Sequence, residues 1–150
     1  MWYKIALKGH KTHYDFQDLS YELVLARDFD DYEKKDQQKF ILKAYDLEHM
    51  DKDKPVGKME FTLKYYPWGK KQLEISLVRT DDYHEGMGVA TNLYKWLKYN
   101  IEMFDKPEFL VSLPFNTQAE RIREKQFGEP KRKYPMHEYE MDYSQGKLDI

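Results

Sequence analysis

The feature that most constrains the fold is a strand, a glycine turn and a helix in direct succession within residues 72–104. Residues 72–80 are rich in apolar side chains, which predicts a strand. In the helix that follows, apolar residues recur at three- and four-residue spacing, which predicts one buried face. These residues are Val89, Leu93, Trp96, Leu97, Ile101 and Phe104. The rest of the chain can be placed around this unit.

The turn contains two glycines, Gly86 and Gly88, directly ahead of the helix. Because glycine has no Cβ atom, backbone N–H groups can crowd together here at the positive end of the helix dipole, where a diphosphate can bind. The turn is not a Walker loop, since no Gly-Lys-Ser/Thr follows, and it lacks the third glycine of a dinucleotide fingerprint. It predicts a phosphate-bearing ligand held by a short pyrophosphate loop of another kind.

This turn resembles the acetyl-CoA loop of the GNAT superfamily of N-acetyltransferases, which has the pattern Arg/Gln-x-x-Gly-x-Gly/Ala. In the better register, Glu85 stands at the Arg/Gln position, Gly88 at the middle glycine and Ala90 at the last position. An alternative register uses Tyr83, Gly86 and Gly88, and it fits the helix less well. Neither register supplies the arginine or glutamine.

A second block resembles the downstream pattern of the same family, Asn-x-x-Ala-x-x-Leu-Tyr-x-Lys. The matching residues are Asn116, Ala119, Ile122 and Lys125. Arg123 stands where the family often has its general-acid tyrosine. The resemblance covers roughly residues 55–130 of the 150.

The spacing of apolar and turn residues predicts seven strands and a second helix. The strands are 2–7, 21–26, 40–47, 56–65, 72–80, 109–113 and 136–143, and the helix is 118–126. Thr117 and Glu120 have the spacing of a capping box at its start, a role that Asn116 can share. Antiparallel strands followed by one βαβ crossover predict an α+β fold with a mixed, mostly antiparallel central sheet. The resemblance implies that the β-α-β unit is an acyl-CoA-binding core.

The charged interval 28–38 has room for one short helix at most. In the family, this interval normally holds two helices that shape the acceptor pocket. The resemblance therefore implies either an open pocket or a pocket completed by another chain, which makes a homodimer possible.

The resemblance implies which residues bind acetyl-CoA as a cosubstrate. The loop residues are Glu85, Gly86, Met87, Gly88, Val89, Ala90 and Thr91. Backbone N–H groups of Leu77, Val78 and Arg79 are the candidates for holding the thioester carbonyl. Asn116 and Arg123 are further candidates, although Asn116 can simply cap a helix. For Arg123, the pattern favours pairing with its helix neighbours Glu120 and Glu124 on an exposed helix face over contact with a CoA phosphate.

Direct acetyl transfer requires a neutral amine, an oxyanion donor and an acid for the departing thiolate. Glu74 is a candidate base because it lies on the strand face opposite Leu73 and Ile75; a paired surface glutamate is an equal alternative. His84 has a suitable intrinsic pKa of about 6.5 for its residue type. With Arg123 at the tyrosine position, Tyr94 or water is the candidate acid.

Composition limits the alternatives. A length of 150 residues favours one domain spanning 1–150. A net charge of −2 lacks the basic excess of a nucleic-acid binder, and no apolar run approaches the length of a membrane span. With no cysteines and scattered histidines, the chain offers no evident metal site. A polar start too short for a signal peptide favours a cytoplasmic location.

Two functions from different classes follow. The first is an N-acetyltransferase that moves acetyl from acetyl-CoA to a primary amine of a small molecule or a protein. The alternative is a catalytically weak or inactive GNAT-fold module that acts by binding a protein partner.

Overall fold

In the computed structural model, which describes residues 13–27, 36–48 and 54–143, the strands form one mixed sheet whose spatial order follows the chain. The strands are β1 (Leu19–Arg27), β2 (Gln37–Asp46), β3 (Gly57–Tyr65), β4 (Lys71–Thr80), β5 (Phe109–Ser112) and β6 (His137–Glu140). The helices are α1 (Val89–Tyr99) and α2 (Thr117–Phe127), with short 3-10 turns at Phe16–Asp18, Asp82–His84 and Ile101–Phe104. No helix in these ranges is long and apolar enough to cross a membrane.

Neighbouring strands are antiparallel except β4 and β5, which run parallel because α1 makes the crossover between them. The predicted α+β fold class with a mostly antiparallel sheet is therefore confirmed. The predicted strands over 21–26, 40–47, 56–65, 72–80 and 109–113 are present with shifts of a few residues at their ends. The predicted strand over 2–7 lies outside the described residues.

The core lies between α1 and one face of the sheet. Alternate residues of β3 and β4, among them Phe61 and Ile75, are fully buried against the apolar stripe of α1. Phe104 meets the ring of Phe61 edge-on at a centroid distance of 5.1 Å. Each buried side chain of this size contributes about 1.5–3 kcal/mol, so this stripe fixes α1 on the sheet.

The opposite face of the sheet carries charges. Lys39 Nζ lies 3.1 Å from Glu60 Oε1, and Lys64 forms an ion pair with Glu74. Hydrogen bonding to Lys39 is the main reason that the pKa of Glu60 is lowered. This face is a half-buried ionic surface rather than a second core.

The predicted helix through Phe104 was wrong beyond Tyr99. The α-helix ends at Tyr99, and the Asn100 side chain donates to Trp96 O at 2.9 Å. An asparagine that bonds the last turn in this way competes with continued helix. The chain then forms a 3-10 turn and leaves through Asp105, which has a left-handed φ of 59°.

The predicted capping box at the start of α2 was also wrong. Asn116 is the N-cap, and its side-chain Oδ1 accepts from Ala119 N at 2.8 Å. Thr117 is already the first helical residue. The alternative role anticipated for Asn116, that of a helix cap, is the one observed.

Tyr14 ties the segment before β1 to the rest of the fold. Its ring is almost fully buried, and its hydroxyl donates to Asp46 Oδ2 at 2.7 Å. Burial first and then Asp46 raise the pKa of Tyr14, so the hydroxyl keeps its proton and stays a donor. The buried carboxylate of Asp46 also accepts from Glu48 N at 2.9 Å.

We expect Tyr14→Phe to lower the free energy of unfolding by about 1–3 kcal/mol, because the buried carboxylate of Asp46 loses a hydrogen-bond donor. Urea denaturation followed by circular dichroism measures this change. Tyr134→Phe is the matched control, since Tyr134 is 86% exposed. Equal stability of the two variants would contradict the structural role of this hydrogen bond.

Candidate functional site

The site begins where β4 and β5 part. The two strands pair from Gln72 opposite Phe109 to Ile75 opposite Ser112, where β5 ends. β4 continues to Thr80, so residues 76–80 have one edge without a strand partner in the described structure. A bulge at this point, with Ser76 as the extra residue against β3, increases the local bend.

Two clefts meet at this free edge. The first, called the glycine cleft, has a volume of about 510 Å³ and lies among the end of β4, the glycine turn and the starts of α1 and α2. The second, called the edge cleft, has a volume of about 680 Å³ and follows residues 76–82. Four residues line both clefts: Val78, Thr80, Glu85 and Phe115.

The glycine turn presents the start of α1 to the glycine cleft. Gly86 and Gly88 have left-handed φ angles of 75° and 86°, and Gly88 is the N-cap of α1. No side chain caps this helix end, and its first turn holds no acidic residue. The first N–H groups of a helix have no partner within the helix, so this end offers donors and positive potential to an anion.

Asn92 holds the turn in this shape. Its side-chain amide donates to Tyr14 O at 2.8 Å and to Gly88 O at 2.9 Å, while Tyr14 N donates to Met87 O at 2.8 Å. Both amide hydrogens are therefore used to join the turn to the segment before β1. The sequence signals Asn92 only as a polar residue beside the buried face of α1.

The two glycines differ in their surroundings. A Cβ atom added at Gly88 would lie 3.0 Å from Tyr14 O and 3.1 Å from His13 Cε1. A Cβ atom at Gly86 would meet no atom within 4 Å. Gly88 is thus required by its backbone angle and by close packing, whereas Gly86 is required by its backbone angle alone.

We expect Gly86→Ala to lower the free energy of unfolding by about 1–2 kcal/mol, the cost of a left-handed backbone with a Cβ atom. Gly88→Ala should cost more, because Tyr14 O cannot move away without breaking its bond to Asn92. Urea denaturation of both variants measures the difference. If Gly88→Ala were no less stable than Gly86→Ala, the close packing at Gly88 would be refuted.

The structure brings most predicted loop and strand residues to the two clefts. Those lining the glycine cleft are Val78, Glu85, Gly86, Gly88, Val89, Ala90, Thr91 and Asn116. Those lining the edge cleft are Leu77, Val78, Arg79 and Glu85. Met87 is instead buried in the core, and its backbone N–H and C=O bond to His84 O and Tyr14 N.

His84 and Asp81 form a hydrogen-bonded pair beside the glycine turn. His84 is buried and lines the glycine cleft, with Nδ1 2.8 Å from Asp81 Oδ2. Because a carboxylate only accepts hydrogen bonds, Nδ1 carries the proton in this pair. Asp81 lines the edge cleft, so the pair connects the two clefts.

Glu74 lies elsewhere. It faces the ionic side of the sheet, opposite Thr62 on β3 and Val111 on β5, before the strands part. It is paired with Lys64 and lines neither of the two clefts. The paired surface glutamate, which the sequence left as an equal alternative, is what the structure shows.

Arg123 is fully buried, which corrects the expected exposed helix face. Nε donates to Tyr139 Oη at 3.2 Å, and Nη1 donates to Tyr94 Oη at 3.4 Å. Nη2 donates to Pro114 O at 3.2 Å and to His137 Nδ1 at 3.1 Å. In the described structure, no carboxylate hydrogen-bonds to this guanidinium.

Arg123 stays charged because it donates hydrogen bonds to these acceptors. Burial by itself would lower the pKa of Arg123, but the hydrogen bonds to Tyr94 and Tyr139 raise it by more. Because arginine only donates, His137 Nδ1 is the acceptor in this hydrogen bond. Arg123 does not line the glycine cleft, and a contact between it and the coenzyme stays a prediction.

Tyr94 lies between Arg123 and the glycine cleft. Its side chain is fully buried and forms part of the cleft wall. Burial is the main reason that its pKa is raised, although Arg123 partly opposes the increase. Tyr94 therefore keeps its proton at neutral pH, directly at the wall of the cleft.

No family model and no curated protein matches the sequence. Solved structures match the fold at low identity. The NatC complex bound to Gag peptide and CoA superimposes with a TM-score of 0.55 and 11% identity, over 68% of this chain and 71% of that one. AtaTR bound with AcCoA superimposes with a TM-score of 0.52 and 10% identity, over 83% of this chain and 94% of that one. Arabidopsis thaliana Naa50 in complex with the bisubstrate analogue CoA-Ac-MVNAL superimposes with a TM-score of 0.50 and 18% identity. The match covers 83% of this chain and 99% of that one.

Proposed function

We propose that this chain, which has the fold of the GNAT acetyltransferases, binds acetyl-CoA in the glycine cleft and transfers its acetyl group to a primary amine in the edge cleft. The observation that carries the proposal is the uncapped start of α1 at two left-handed glycines, in a cleft that opens onto the free edge of β4. Among structures of this fold, one is bound to CoA, one to AcCoA and one to a bisubstrate analogue.

The diphosphate of the coenzyme binds the first N–H groups of α1, where the helix dipole favours negative charge. Its thioester arm then runs towards the free edge of β4. There every second backbone N–H group along Leu77, Val78 and Arg79 faces the free edge and is a donor for the oxyanion. A strand edge that already pairs with β5 offers no such donors, so the early end of β5 makes this step possible.

The edge cleft suits a cationic acceptor. Asp81, Asp82 and Glu85 line it, against a single arginine, Arg79. Clustered carboxylates attract an ammonium group and raise its local concentration. An amine must lose its proton before it attacks, so a base is needed close to these carboxylates.

We assign the base to His84 and the acid to Tyr94. His84 is oriented by Asp81 through Nδ1, which leaves Nε2, a buried atom in the wall of the glycine cleft, to take the proton of the amine. The amine nitrogen forms a bond to the acetyl carbon, the bond from that carbon to sulfur breaks, and the thiolate of CoA receives the phenolic proton of Tyr94. Glu74 is not assigned because it is paired outside the clefts.

The second candidate is a module that binds a protein partner without catalysis. The observation that favours it is Arg123, which occupies the position of the general-acid tyrosine in the resembled pattern and is buried beneath the cleft wall. The nature of the acceptor, a homodimer and a cytoplasmic location stay predictions.

We expect acetyl-CoA to bind the intact chain with a dissociation constant in the micromolar range, about −8 kcal/mol. Asn92→Ala should weaken binding at least about tenfold, because the glycine turn loses both amide bonds that hold it. Isothermal titration calorimetry measures both values. Asn100→Ala is the matched control, since it removes an asparagine side-chain bond at the other end of the same helix.

An absence of binding to the intact chain would rule out the enzyme and leave the partner-binding module. Unchanged affinity in Asn92→Ala would instead show that the coenzyme binds away from the glycine turn.

We expect amine-dependent release of the CoA thiol, which a thiol reagent detects without background because the chain has no cysteine. Tyr94→Phe should lower kcat by about 10²-fold, since the departing thiolate loses its proton donor. Tyr134→Phe should leave kcat unchanged, because this residue is exposed and lines neither cleft. Equal kcat for Tyr94→Phe and the unmodified chain would remove Tyr94 from the mechanism.

A further inference from the structure

Phe115 stands at the junction of the two clefts. It is the only aromatic residue among the four that line both. Its side chain is 39% exposed, and its backbone has a left-handed φ of 58°. A bulky residue rarely adopts this angle, so the surrounding structure must hold it there.

Arg123 contacts both Phe115 and the residue before it, and it keeps Phe115 in this conformation. Its Nη2 donates to Pro114 O at 3.2 Å, and its guanidinium lies 5.8 Å from the centre of the Phe115 ring. On the other side of Phe115, the Asn116 side chain is fixed by its cap bond to Ala119 N. Phe115 therefore lies between two fixed residues, over a buried cation that attracts its ring.

The anchor itself is rigid. Arg123 is held by two tyrosine hydroxyls and by His137, and it has no exposed surface. A planar guanidinium with several fixed acceptors cannot rotate without breaking several bonds at once. Phe115 is thus a fixed wall rather than a mobile side chain over the clefts.

We propose that Phe115 closes the end of the acyl-group site and limits the donor to short acyl chains, and that Arg123 is the residue that positions it. This rests on the proposed function, because an acyl chain attached at the free edge of β4 has to lie where the two clefts meet. The Phe115 ring occupies space there that a longer chain would need. An acetyl group ends before that space, whereas the carbons of an octanoyl chain extend into it.

The test uses CoA, acetyl-CoA and octanoyl-CoA as probes, with calorimetry as the readout, so that no acceptor is required. The intact chain should bind octanoyl-CoA no more tightly than acetyl-CoA. In Phe115→Ala, the affinity for octanoyl-CoA should rise at least about tenfold relative to acetyl-CoA, since each newly buried methylene is worth about fourfold. The affinity for CoA, which has no acyl chain, is measured in the same variant as the reference for both acyl-CoA probes.

Leu113→Ala is the matched control. Leu113 is in the same loop and 44% exposed, yet it lines neither cleft. This variant should therefore have the same ratio of octanoyl-CoA affinity to acetyl-CoA affinity as the intact chain. Arg123→Lys keeps the charge but loses the two guanidinium nitrogens that donate to Pro114 O and Tyr94 Oη. Like Phe115→Ala, this variant should raise the affinity for octanoyl-CoA relative to acetyl-CoA. The ratio compares two ligands on one folded protein, so a mere loss of stability does not change it.

The outcomes separate the inference from the proposed function. If CoA binds and Phe115→Ala leaves the ratio unchanged, the inference is overturned and the proposed function stands. Tighter binding of octanoyl-CoA than acetyl-CoA by the intact chain overturns the inference in the same way. If the intact chain binds none of the three probes, the proposed function falls, and the inference falls with it.

Discussion

The early end of β5 is the constraint on which the site depends. β5 pairs with β4 over four residues and stops at Ser112. Pro114 then follows two residues later, and because proline has no N–H donor it cannot extend a ladder. β4 nevertheless continues to Thr80, since β3 still pairs with its other edge. Residues 76–80 of β4 are thereby held in the sheet by one edge, and their other edge, which has no strand partner in the described structure, faces the two clefts. A longer β5 would satisfy this edge and leave neither cleft with access to it.

The glycine turn depends on a second set of contacts, which come from the segment before β1. Two left-handed glycines only permit the turn, because glycine adopts many other conformations equally well. The bonds from Asn92 to Tyr14 and Gly88 select one of these conformations. Tyr14 is itself anchored at Asp46, at the far end of β2. The start of α1 is therefore fixed by the bonds of Asn92 to its own helix end and to Tyr14, which is in turn anchored on β2.

These two features explain what the sequence could reveal. Strands and the buried face of α1 were predicted well, because periodic burial leaves a periodic pattern. Gly88 was identified because its left-handed backbone angle is a local requirement, whereas its close packing against Tyr14 leaves no local pattern. Arg123 was misplaced because its partners, among them Tyr94 and His137, lie 29 and 14 residues away. The end of α1 was missed because Ile101 and Phe104 stay buried in the 3-10 turn that follows, so the helical spacing of apolar residues continues past Asn100.

Arg123 also changes the electrostatics of the proposed reaction. A buried cation without a carboxylate is costly, and here two tyrosine hydroxyls, a carbonyl and an imidazole compensate it. Such a cation stabilises any negative charge that develops nearby, because screening by water is weak inside the protein. When Tyr94 gives up its proton, the resulting phenolate lies beside the guanidinium. In the proposed reaction, the arginine at the tyrosine position of the resembled pattern thus supports a tyrosine on another helix as the acid.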